Sequence, residues 1–333
     1  MPLHPNDVLY PGGSPFPMLA ACEHYAGNEK LMRKSLRLQR ERGPVFDLTC
    51  DCEDGAPAGR ESEHAELVVS VINSADNLHN RVGVRIHDIT HPHWRRDLEI
   101  IVGGAGRRLA YVTFPKVSGL ADVIAMIGAL DELASRHGIH HGIPVHVLIE
   151  SPSALREAYQ IASLREVETL DFGLMDYVSS HHGAIPATAM RSPGQFEHPL
   201  IVRAKCEIAS AALGAGVVPS HNVTTELKDK SVVFADAKRA TEEFGFLRMW
   251  SIHPDQIEHI VAAMRPPAPQ VEIAAAILVA AQDAEWGPIQ HEGQLHDRAS
   301  YRYYWELLER ACATGMTVPT PAAQRFFSRF QSD

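Results

Sequence analysis

The stretch Val145-His-Val-Leu-Ile-Glu150 is a largely apolar run that ends on an acidic residue, and it indicates both the fold and the chemistry. A second run, Leu170-Asp-Phe-Gly-Leu-Met-Asp176, ends in the same way. Short apolar runs of this kind predict buried strands. A carboxylate at the end of a buried strand has few structural roles. Two of them at successive strand ends can share a hard divalent cation and a substrate, so Glu150 and Asp176 are the first candidates for a site.

Strand-like runs alternate with helix-like stretches along the whole chain. The helix-like stretches 119–136, 153–164, 200–213 and 234–244 have apolar residues at helical spacing. Such alternation predicts a parallel sheet, and eight repeats favour a closed (β/α)8 TIM barrel over an open doubly wound sheet. The strand candidates begin near Val8, Val45, Val82, Leu109, Pro144, Thr169, Gly216 and Arg248.

The domain organisation follows from one Pro-rich segment. Met264-Arg-Pro-Pro-Ala-Pro-Gln270 is typical of a linker, and helix-like stretches over 271–286 and 301–311 come after it. We therefore predict an α/β fold in which residues 1–264 form the TIM barrel and residues 265–333 form a C-terminal helical extension. The loop 179–199 is long and rich in His, Pro and Gly, which is typical of binding loops.

Composition excludes several classes of protein. The 333-residue chain is 45% hydrophobic and carries a net charge of −10, which disfavours nucleic-acid binding. No apolar run approaches the roughly 20 residues of a membrane helix, and the N-terminal residues lack the pattern of a secretory signal. Five cysteines are too few for a disulfide framework. We therefore predict a cytoplasmic protein without nucleic-acid or membrane partners.

The polar residues at the strand ends are the site candidates, because chemistry in such barrels lies at the C-terminal ends of the strands. Mg²⁺ typically takes one or two protein carboxylates together with water and substrate oxygens. Glu150 and Asp176 fit that pattern, and ion pairing at the barrel rim is the alternative. The full set is Asp51, Glu53, Asp54, Arg85, His87, Lys116, Glu150, Asp176, His221, Asn222 and His253.

Arg85 and an acidic turn are the next candidates. Arg85, in Val82-Gly-Val-Arg85, would be buried in a barrel strand and would need an anionic partner. That partner is either a substrate oxyanion or a structural acid. The turn Asp51-Cys-Glu-Asp-Gly55 has three acids in four residues, which repel one another unless a cation, water or arginine intervenes. The turn either orients metal-bound water or is solvated, with Gly55 at positive φ.

Seven motifs in chain order resemble those of the citrate lyase β-subunit / malyl-CoA lyase family, the magnesium-dependent carbon–carbon lyases of the HpcH/HpaI aldolase superfamily. The resemblance spans residues 9 to 297, and the motifs are specific as an ordered set. They are Leu9-Tyr-Pro-Gly12, Asp51-Cys-Glu-Asp-Gly55, Val84-Arg-Ile86, Phe114-Pro-Lys-Val117, Leu148-Ile-Glu150, Phe172-Gly-Leu-Met-Asp176 and Ser251-Ile-His-Pro254.

The resemblance implies roles for the residues of these motifs. Glu150 and Asp176 would be ligands of Mg²⁺, with Mn²⁺ as the alternative ion. Arg85 would bind the substrate and act in catalysis. The residues implied to bind substrate are Arg85, Glu53, Asp54, Gly173, Leu174, Met175 and Pro254.

Gly293-Gln-Leu-His-Asp297 is similar to the family's Gly-x-Met-Ile-Asp. The resemblance implies that Asp297 is a catalytic acid/base that reaches the site of a neighbouring subunit, although the local sequence does not distinguish it from a surface acid. The C-terminal extension would then serve another copy in a homo-oligomer, either a trimer or a hexamer.

The chain also departs from the family pattern. His221 stands where the family has Asp, and Arg248-Met249 replaces its Gly-Lys. CoA-binding members carry Lys or Arg soon after the first strand, whereas residues 13–18 contain none and the first basic residue is Lys30. The other basic candidates for CoA are Arg33, Lys34 and Arg60.

We predict a lyase that cleaves a β-hydroxyacyl-CoA of the malyl- or citramalyl-CoA type into acetyl-CoA and a 2-oxo acid by a retro-Claisen reaction. The scarcity of basic residues near the predicted first strand leaves a second hypothesis, a metal-dependent aldolase that acts on free 4-hydroxy-2-oxo acids without CoA. A third is a non-catalytic subunit or scaffold, against which the set of Glu150, Asp176 and Arg85 argues.

Overall fold

Eight parallel strands close into a barrel in chain order, as the alternation of strands and helices predicted. The structure is a computed structural model and describes residues 3–13 and 15–327. Strand β8 closes on β1, with Met249 opposite Cys22. The predicted (β/α)8 barrel is therefore confirmed. The strands are β1 (Cys22–Ala26), β2 (Phe46–Asp51), β3 (Val82–Arg85), β4 (Val112–Phe114), β5 (Val145–Ile149), β6 (Val167–Phe172), β7 (Val218–His221) and β8 (Arg248–Ser251).

Helices alternate with these strands and continue beyond the barrel. The predicted helix over 153–164 is two short helices, α6 and α7. The α-helices are α1 (Pro5–Leu9), α2 (Glu29–Arg42), α3 (Glu61–Ile72), α4 (Trp94–Ala105), α5 (Leu120–Arg136), α6 (Pro152–Arg156), α7 (Ala158–Ala162), α8 (Leu174–Ser179), α9 (Pro199–Ala215), α10 (Lys230–Phe244), α11 (Pro254–Met264), α12 (Ala268–Asp283), α13 (Arg298–Ala313) and α14 (Thr320–Ala322). Short 3-10 turns at Ala187–Met190 and Gly194–Phe196 interrupt the loop after α8.

The first strand is not where the sequence predicted it. The segment near Val8 is helix α1, which has a proline in its first turn. The backbone N–H of Asn6 donates to His4 Nδ1, which caps the start of this helix. The first strand is β1, with the sequence Cys22-Glu-His-Tyr-Ala26. It contains polar residues, so it lacks the apolar run by which strands were predicted. Glu23 is nevertheless fully buried, because Arg248 on β8 pairs with it. Leu9-Tyr-Pro-Gly12 is therefore not the opening strand of the barrel.

The chain divides into two compact units, and one boundary differs from the prediction. Residues 20–264 form the barrel unit. Residues 1–19 group with residues 265–333 instead. In that unit Leu9 packs in the same core as Trp305, and Trp305 Nε1 donates to Asn6 Oδ1 at 2.7 Å. The outer ends of the predicted domains, residues 1–2 and 328–333, and also residue 14, lie outside the described residues.

The second unit also contains a small antiparallel hairpin. Strands β9 (Ile289–His291) and β10 (Gln294–His296) pair antiparallel and lead directly into α13. None of the helices within the described residues is long and apolar enough to cross a membrane.

Alternate residues of each strand face the barrel interior, because side chains alternate sides with a period of two. In β3, Val82 and Val84 pack outward in the large core beneath the helices, whereas Arg85 faces inward. Barrel interiors of this kind are usually filled by bulky apolar side chains. This one instead buries five ionisable side chains, from Glu23, Asp47, His146, Asp171 and Arg248.

Gly83 makes room for one aromatic ring inside the barrel. A Cβ added at Gly83 would lie 2.2 Å from Tyr111 Cε2, and the Tyr111 ring is itself stacked on His146. Gly83→Ala should therefore lower the free energy of unfolding by about 1–3 kcal/mol, through overpacking. Denaturant unfolding followed by circular dichroism measures this. The matched control is Gly128→Ala on α5, where an added Cβ meets no described atom within 4 Å and a gain of about 0.5–1 kcal/mol is expected. Equal losses in both variants would contradict the packing argument.

Candidate active site

A cavity of about 160 Å³ opens at the C-terminal ends of the strands. It brings together eight of the residues that the sequence singled out, from β3 and from the segments after β2, β5, β6 and β7. It also includes Val223 after β7 and Trp250 of β8. The lining residues are Asp54, Arg85, Glu150, Gly173, Leu174, Met175, Asp176, Asn222, Val223 and Trp250.

Glu150 and Asp176 meet in this cavity. Glu150 directly follows β5 and is 4% exposed, and Asp176 lies in the first turn of α8. Neither carboxylate forms an ion pair with a basic side chain in the part of the chain that the structure describes, so the predicted alternative of rim ion pairing is not observed. Burial and then the nearby Asp176 raise the pKa of Glu150 to about 8.

These two residues fit a hard cation. Both offer carboxylate oxygens, which are the ligands that Mg²⁺ prefers. The backbone N–H of Lys116 donates to Glu150 Oε1 and holds that carboxylate in place. Burial is the larger cause of the raised pKa of Glu150, and repulsion by Asp176 is the second. A divalent cation between the two carboxylates would relieve that repulsion.

Gly173 shapes the position of Glu150. A Cβ added at Gly173 would lie 2.3 Å from Glu150 Oε2 and 2.4 Å from Glu150 Cβ. Gly173→Ala should therefore displace the carboxylate and weaken Mg²⁺ binding by about 10–100-fold, as changes around metal ligands typically do. Calorimetric titration with Mg²⁺ measures this. Gly214→Ala, on α9 where an added Cβ meets nothing described within 4 Å, is the control and should bind as the parent does. Unchanged affinity in Gly173→Ala would argue against Glu150 as a ligand.

Arg85 is held by the acidic turn that follows β2. Its Nε and Nη2 donate to the two carboxylate oxygens of Asp51 at 2.8 and 2.6 Å, and its Nη1 lies 3.1 Å from Glu53 Oε2. Burial alone would lower the pKa of Arg85, but Asp51 and Glu53 outweigh it and raise that pKa. Arg85 thus pairs with structural acids and also lines the cavity. Its position is therefore compatible with both predicted partners, a structural acid and a substrate oxyanion.

Two of the three acids in the turn, Asp51 and Glu53, are buried, whereas Asp54 is exposed. Asp51 is 3% exposed and accepts from the N–H groups of Glu53 and Gly55. Gly55 is not at positive φ, contrary to the sequence-based alternative. A glycine is needed there because a Cβ would lie 2.3 Å from Asp51 Oδ2.

Lys116 joins the same set of charges. Its Nζ contacts Glu53 and lies 2.9 Å from both carboxylate oxygens of Asp54. Burial would lower the pKa of Lys116, but its bonds to Glu53 and Asp54 raise it. Glu53 is therefore buried between two cations and does not line the cavity, whereas Asp54 is exposed and does.

Two aromatic residues at the cavity, Tyr25 and Trp250, were not predicted as site residues from the sequence. The rings of Tyr25 and Trp250 stack with their centroids 4.9 Å apart, and Arg85 lies 5.3 Å from the Tyr25 centroid. With Leu148 they form a small apolar cluster separate from the main core. Arg248 and Trp250 are two residues apart on β8, so both side chains face the barrel interior. That spacing is the signal that could have identified Trp250.

Pro254, His221 and Asp297 are among the singled-out residues that do not line the cavity. Pro254 is buried at the start of α11, and His221 is buried with its Nε2 2.6 Å from Lys205 Nζ. Asp297 belongs to the second unit, where it is exposed and caps α13 by accepting from the N–H of Ala299 at 2.9 Å. Helix capping therefore accounts for Asp297 within its own unit.

Known proteins share this fold and much of this sequence. Residues 46–254 match the family HpcH/HpaI aldolase/citrate lyase. A solved citrate lyase from Burkholderia xenovorans LB400 is 54% identical, with 97% of this chain and 99% of that chain covered and a TM-score of 0.82. The L-malyl-CoA/beta-methylmalyl-CoA lyase of Cereibacter sphaeroides is 25% identical over 268 residues, which cover 77% of this chain and 84% of that protein.

A more distant structure shows the same fold. The CitE protein of Mycobacterium tuberculosis, solved in complex with magnesium, acetoacetate and coenzyme A, is 21% identical. The comparison covers 88% of this chain and 98% of that chain, with a TM-score of 0.65.

The fold and the site together define a (β/α)8 barrel whose C-terminal rim carries residues that fit a hard cation. The family match over residues 46–254 makes the assignment specific: the chain belongs to the HpcH/HpaI aldolase/citrate lyase family. The predicted family is confirmed, and so is the enzyme class, because the relatives it matches are named lyases.

Proposed function

We propose that the protein is a Mg²⁺-dependent lyase that cleaves a β-hydroxyacyl-CoA of the malyl- or citramalyl-CoA type into acetyl-CoA and a 2-oxo acid. The observation that carries this proposal is the convergence of Glu150, Asp176 and Arg85 on one cavity of about 160 Å³. Relatives named malyl-CoA/beta-methylmalyl-CoA/citramalyl-CoA lyase and citrate lyase subunit beta support the same class of substrate.

Glu150 and Asp176 are the proposed ligands of Mg²⁺, with Mn²⁺ as an alternative ion of the same preference for oxygen. A bound Mg²⁺ would act as a Lewis acid on the oxygens of the 2-oxo acid half of the substrate. A magnesium complex of the M. tuberculosis CitE protein supports this choice of metal. Asp54, Gly173, Leu174 and Met175 line the same cavity and are proposed to contact substrate, whereas Glu53 and Pro254 would act from behind it.

Arg85 is proposed to stabilise negative charge that develops on a substrate oxygen. Its guanidinium is fixed by Asp51 and Glu53, so no reorganisation is needed during the reaction. Tyr25 and Trp250 exclude water from beneath the cavity and so strengthen that interaction. Because Arg85 is bonded to both oxygens of Asp51, its free N–H groups are aimed away from that carboxylate.

The proton transfers require a base, and Asp297 of another copy is the proposed one. That base would take the proton of the β-hydroxyl group, the carbon–carbon bond would break, and the electron pair would pass to the thioester as an enolate. Returning the proton to the enolate carbon gives acetyl-CoA. The family resemblance implies that this residue acts on a neighbouring subunit, so a homo-oligomer, a trimer or hexamer, is part of the proposal. Asp297 is exposed, as such a role requires.

The corrected first strand strengthens the case for CoA. The sequence argument against CoA assumed a strand near Val8, after which no basic residue follows closely. With β1 ending at Ala26, Lys30 and Lys34 come soon after the strand and are both exposed. These lysines are suitable partners for CoA phosphates.

A substrate panel tests the proposal. Malyl-, citramalyl- and β-methylmalyl-CoA and free 4-hydroxy-2-oxo acids would be assayed with and without Mg²⁺. We expect Mg²⁺-dependent release of acetyl-CoA, abolished in Glu150→Gln/Asp176→Asn. Turnover of only the free acids would instead support an aldolase, which the family description also includes. Absence of turnover, together with a melting temperature that Mg²⁺ does not change, would favour a non-catalytic subunit.

A further inference from the structure

We infer that a second metal site, suited to Zn²⁺, lies inside the barrel and is formed by Glu23 of β1, His146 of β5 and Asp171 of β6. One ligand atom from each residue lies within 4.8 Å of the other two. All three side chains are fully buried. None of the three lines the active-site cavity, so this site is distinct from the pair Glu150 and Asp176.

The geometry of His146 carries the first argument. Its Nδ1 lies 3.5 Å from Glu23 Oε1 and has no hydrogen-bond partner among the described residues. That separation is long for a hydrogen bond. It matches the roughly 3.4 Å expected between two ligand atoms of a tetrahedral zinc with bonds of about 2.1 Å.

The other nitrogen of His146 adds a second argument. His146 Nε2 lies 3.1 Å from Glu168 Oε2. Histidines that bind metals usually donate their second ring N–H to a carboxylate or carbonyl, which fixes the ring and directs the free nitrogen to the metal. Glu168 therefore holds His146 in the orientation that a metal ligand needs.

The two carboxylates are supported in the same manner. Asp171 Oδ2 accepts from Thr169 Oγ1 at 3.2 Å, whereas Asp171 Oδ1 has no partner in residues 3–13 and 15–327. Glu23 Oε1 accepts from Thr49 Oγ1 at 2.7 Å. A buried polar atom without a partner costs roughly 1–3 kcal/mol, so Asp171 Oδ1 and His146 Nδ1 together favour an occupant between them.

One aromatic ring positions two of the three ligands. The Tyr111 ring stacks on His146, with centroids 3.8 Å apart and planes 13° apart. The Tyr111 hydroxyl lies 2.7 Å from Thr49 Oγ1, which in turn binds Glu23. Gly83 leaves the space that this ring occupies. Rigid support of this kind is what a metal site requires of the residues around its ligands.

The charge balance indicates a divalent ion. Four carboxyl groups, from Glu23, Asp47, Glu168 and Asp171, face only two guanidinium groups. Arg248 pairs with Glu23 and Asp47, and Arg81 lies 3.7 Å from Asp47. Burial lowers the pKa of His146, but Glu23 and Glu168 raise it to about 9. A divalent cation would therefore displace the proton of His146, and with the imidazole neutral the cation would balance the two negative charges that remain. One imidazole and two carboxylates are suitable ligands for Zn²⁺.

Metal analysis of a suitable variant tests this inference. The parent would be the full-length Glu150→Gln/Asp176→Asn variant, which lacks the proposed Mg²⁺ ligands, grown with zinc and dialysed against EDTA. Mass spectrometry should find about one zinc per chain, because a fully buried metal does not exchange readily. Adding Asp171→Asn or His146→Gln should lower bound zinc by about tenfold or more. The matched control is Asp47→Asn, which removes a carboxylate from the same buried set without removing a ligand and should retain zinc.

Two results would overturn the inference. One is less than a tenth of an equivalent of zinc in the parent; the other is equal zinc loss in Asp47→Asn and Asp171→Asn. If the ligand variants fail to fold, X-ray absorption on the parent decides. One imidazole with oxygens at about 2.0–2.2 Å supports the site, and sulfur at about 2.3 Å would assign the zinc to cysteine and overturn it.

Discussion

Replacing Arg85 by lysine is expected to lower kcat of the proposed cleavage by about 10²–10³-fold, with a smaller change in KM. Lysine keeps a positive charge next to Asp51 and Glu53 but cannot form the two parallel hydrogen bonds that fix the guanidinium. The charge would then no longer be held where negative charge develops on the substrate. Steady-state kinetics with the preferred thioester of the panel measures the effect.

Lysine is a sharper substitution here than alanine. Removing the cation altogether would leave Asp51 buried without its partner and Glu53 with Lys116 alone, and breaking a buried ion pair costs about 3–5 kcal/mol. Loss of activity in Arg85→Ala could thus reflect unfolding. Arg96→Lys, an exposed arginine on α4 paired with Glu99, is the control and should leave kcat unchanged. Near-parental kcat in a folded Arg85→Lys would remove Arg85 from the mechanism.

Replacing Asp297 by asparagine is expected to lower kcat by about 10²–10⁴-fold, which is the typical contribution of a general acid or base. Asparagine is as good an N-cap as aspartate, so the cap on the N–H of Ala299 should persist and the melting temperature should change little. Asp297→Ala would lose both functions and could not separate them. A variant with intact stability and intact turnover would leave Asp297 as a helix cap only.

Mixing two inactive variants tests whether Asp297 acts on another copy. Asp297→Asn chains contribute intact barrels, and Arg85→Lys chains contribute intact Asp297. If the site is shared, subunit exchange in an equal mixture should restore about one site in four by random assortment. A mixture that stays inactive after confirmed exchange would contradict a shared site.

The sequence predicted the parts of the site that follow strands. Glu150, Asp176 and Arg85 could be found because apolar runs mark the strands and the barrel rule assigns chemistry to their C-terminal ends. The predicted position of the first strand was wrong for a physical reason. Glu23 is acceptable inside the barrel only because Arg248, which is distant in sequence, pairs with it. Local patterns contain no information about such a contact.

Side chains beneath the cavity were missed for the same reason. Tyr25 lies on the strand that was not recognised, and its stacking on Trp250 joins the first and last strands of the barrel. The capping role of Asp297 could have been read from Asp297-Arg-Ala-Ser300, since Asp is a preferred N-cap and Ser300 completes the capping box.

The unit that combines residues 1–19 with residues 265–333 has a consequence for biosynthesis. Asn6 is made 299 residues before its partner Trp305. On a ribosome, residues 20–264 are complete well before that partner emerges, so the barrel can fold first and the unit that carries Asp297 is completed afterwards.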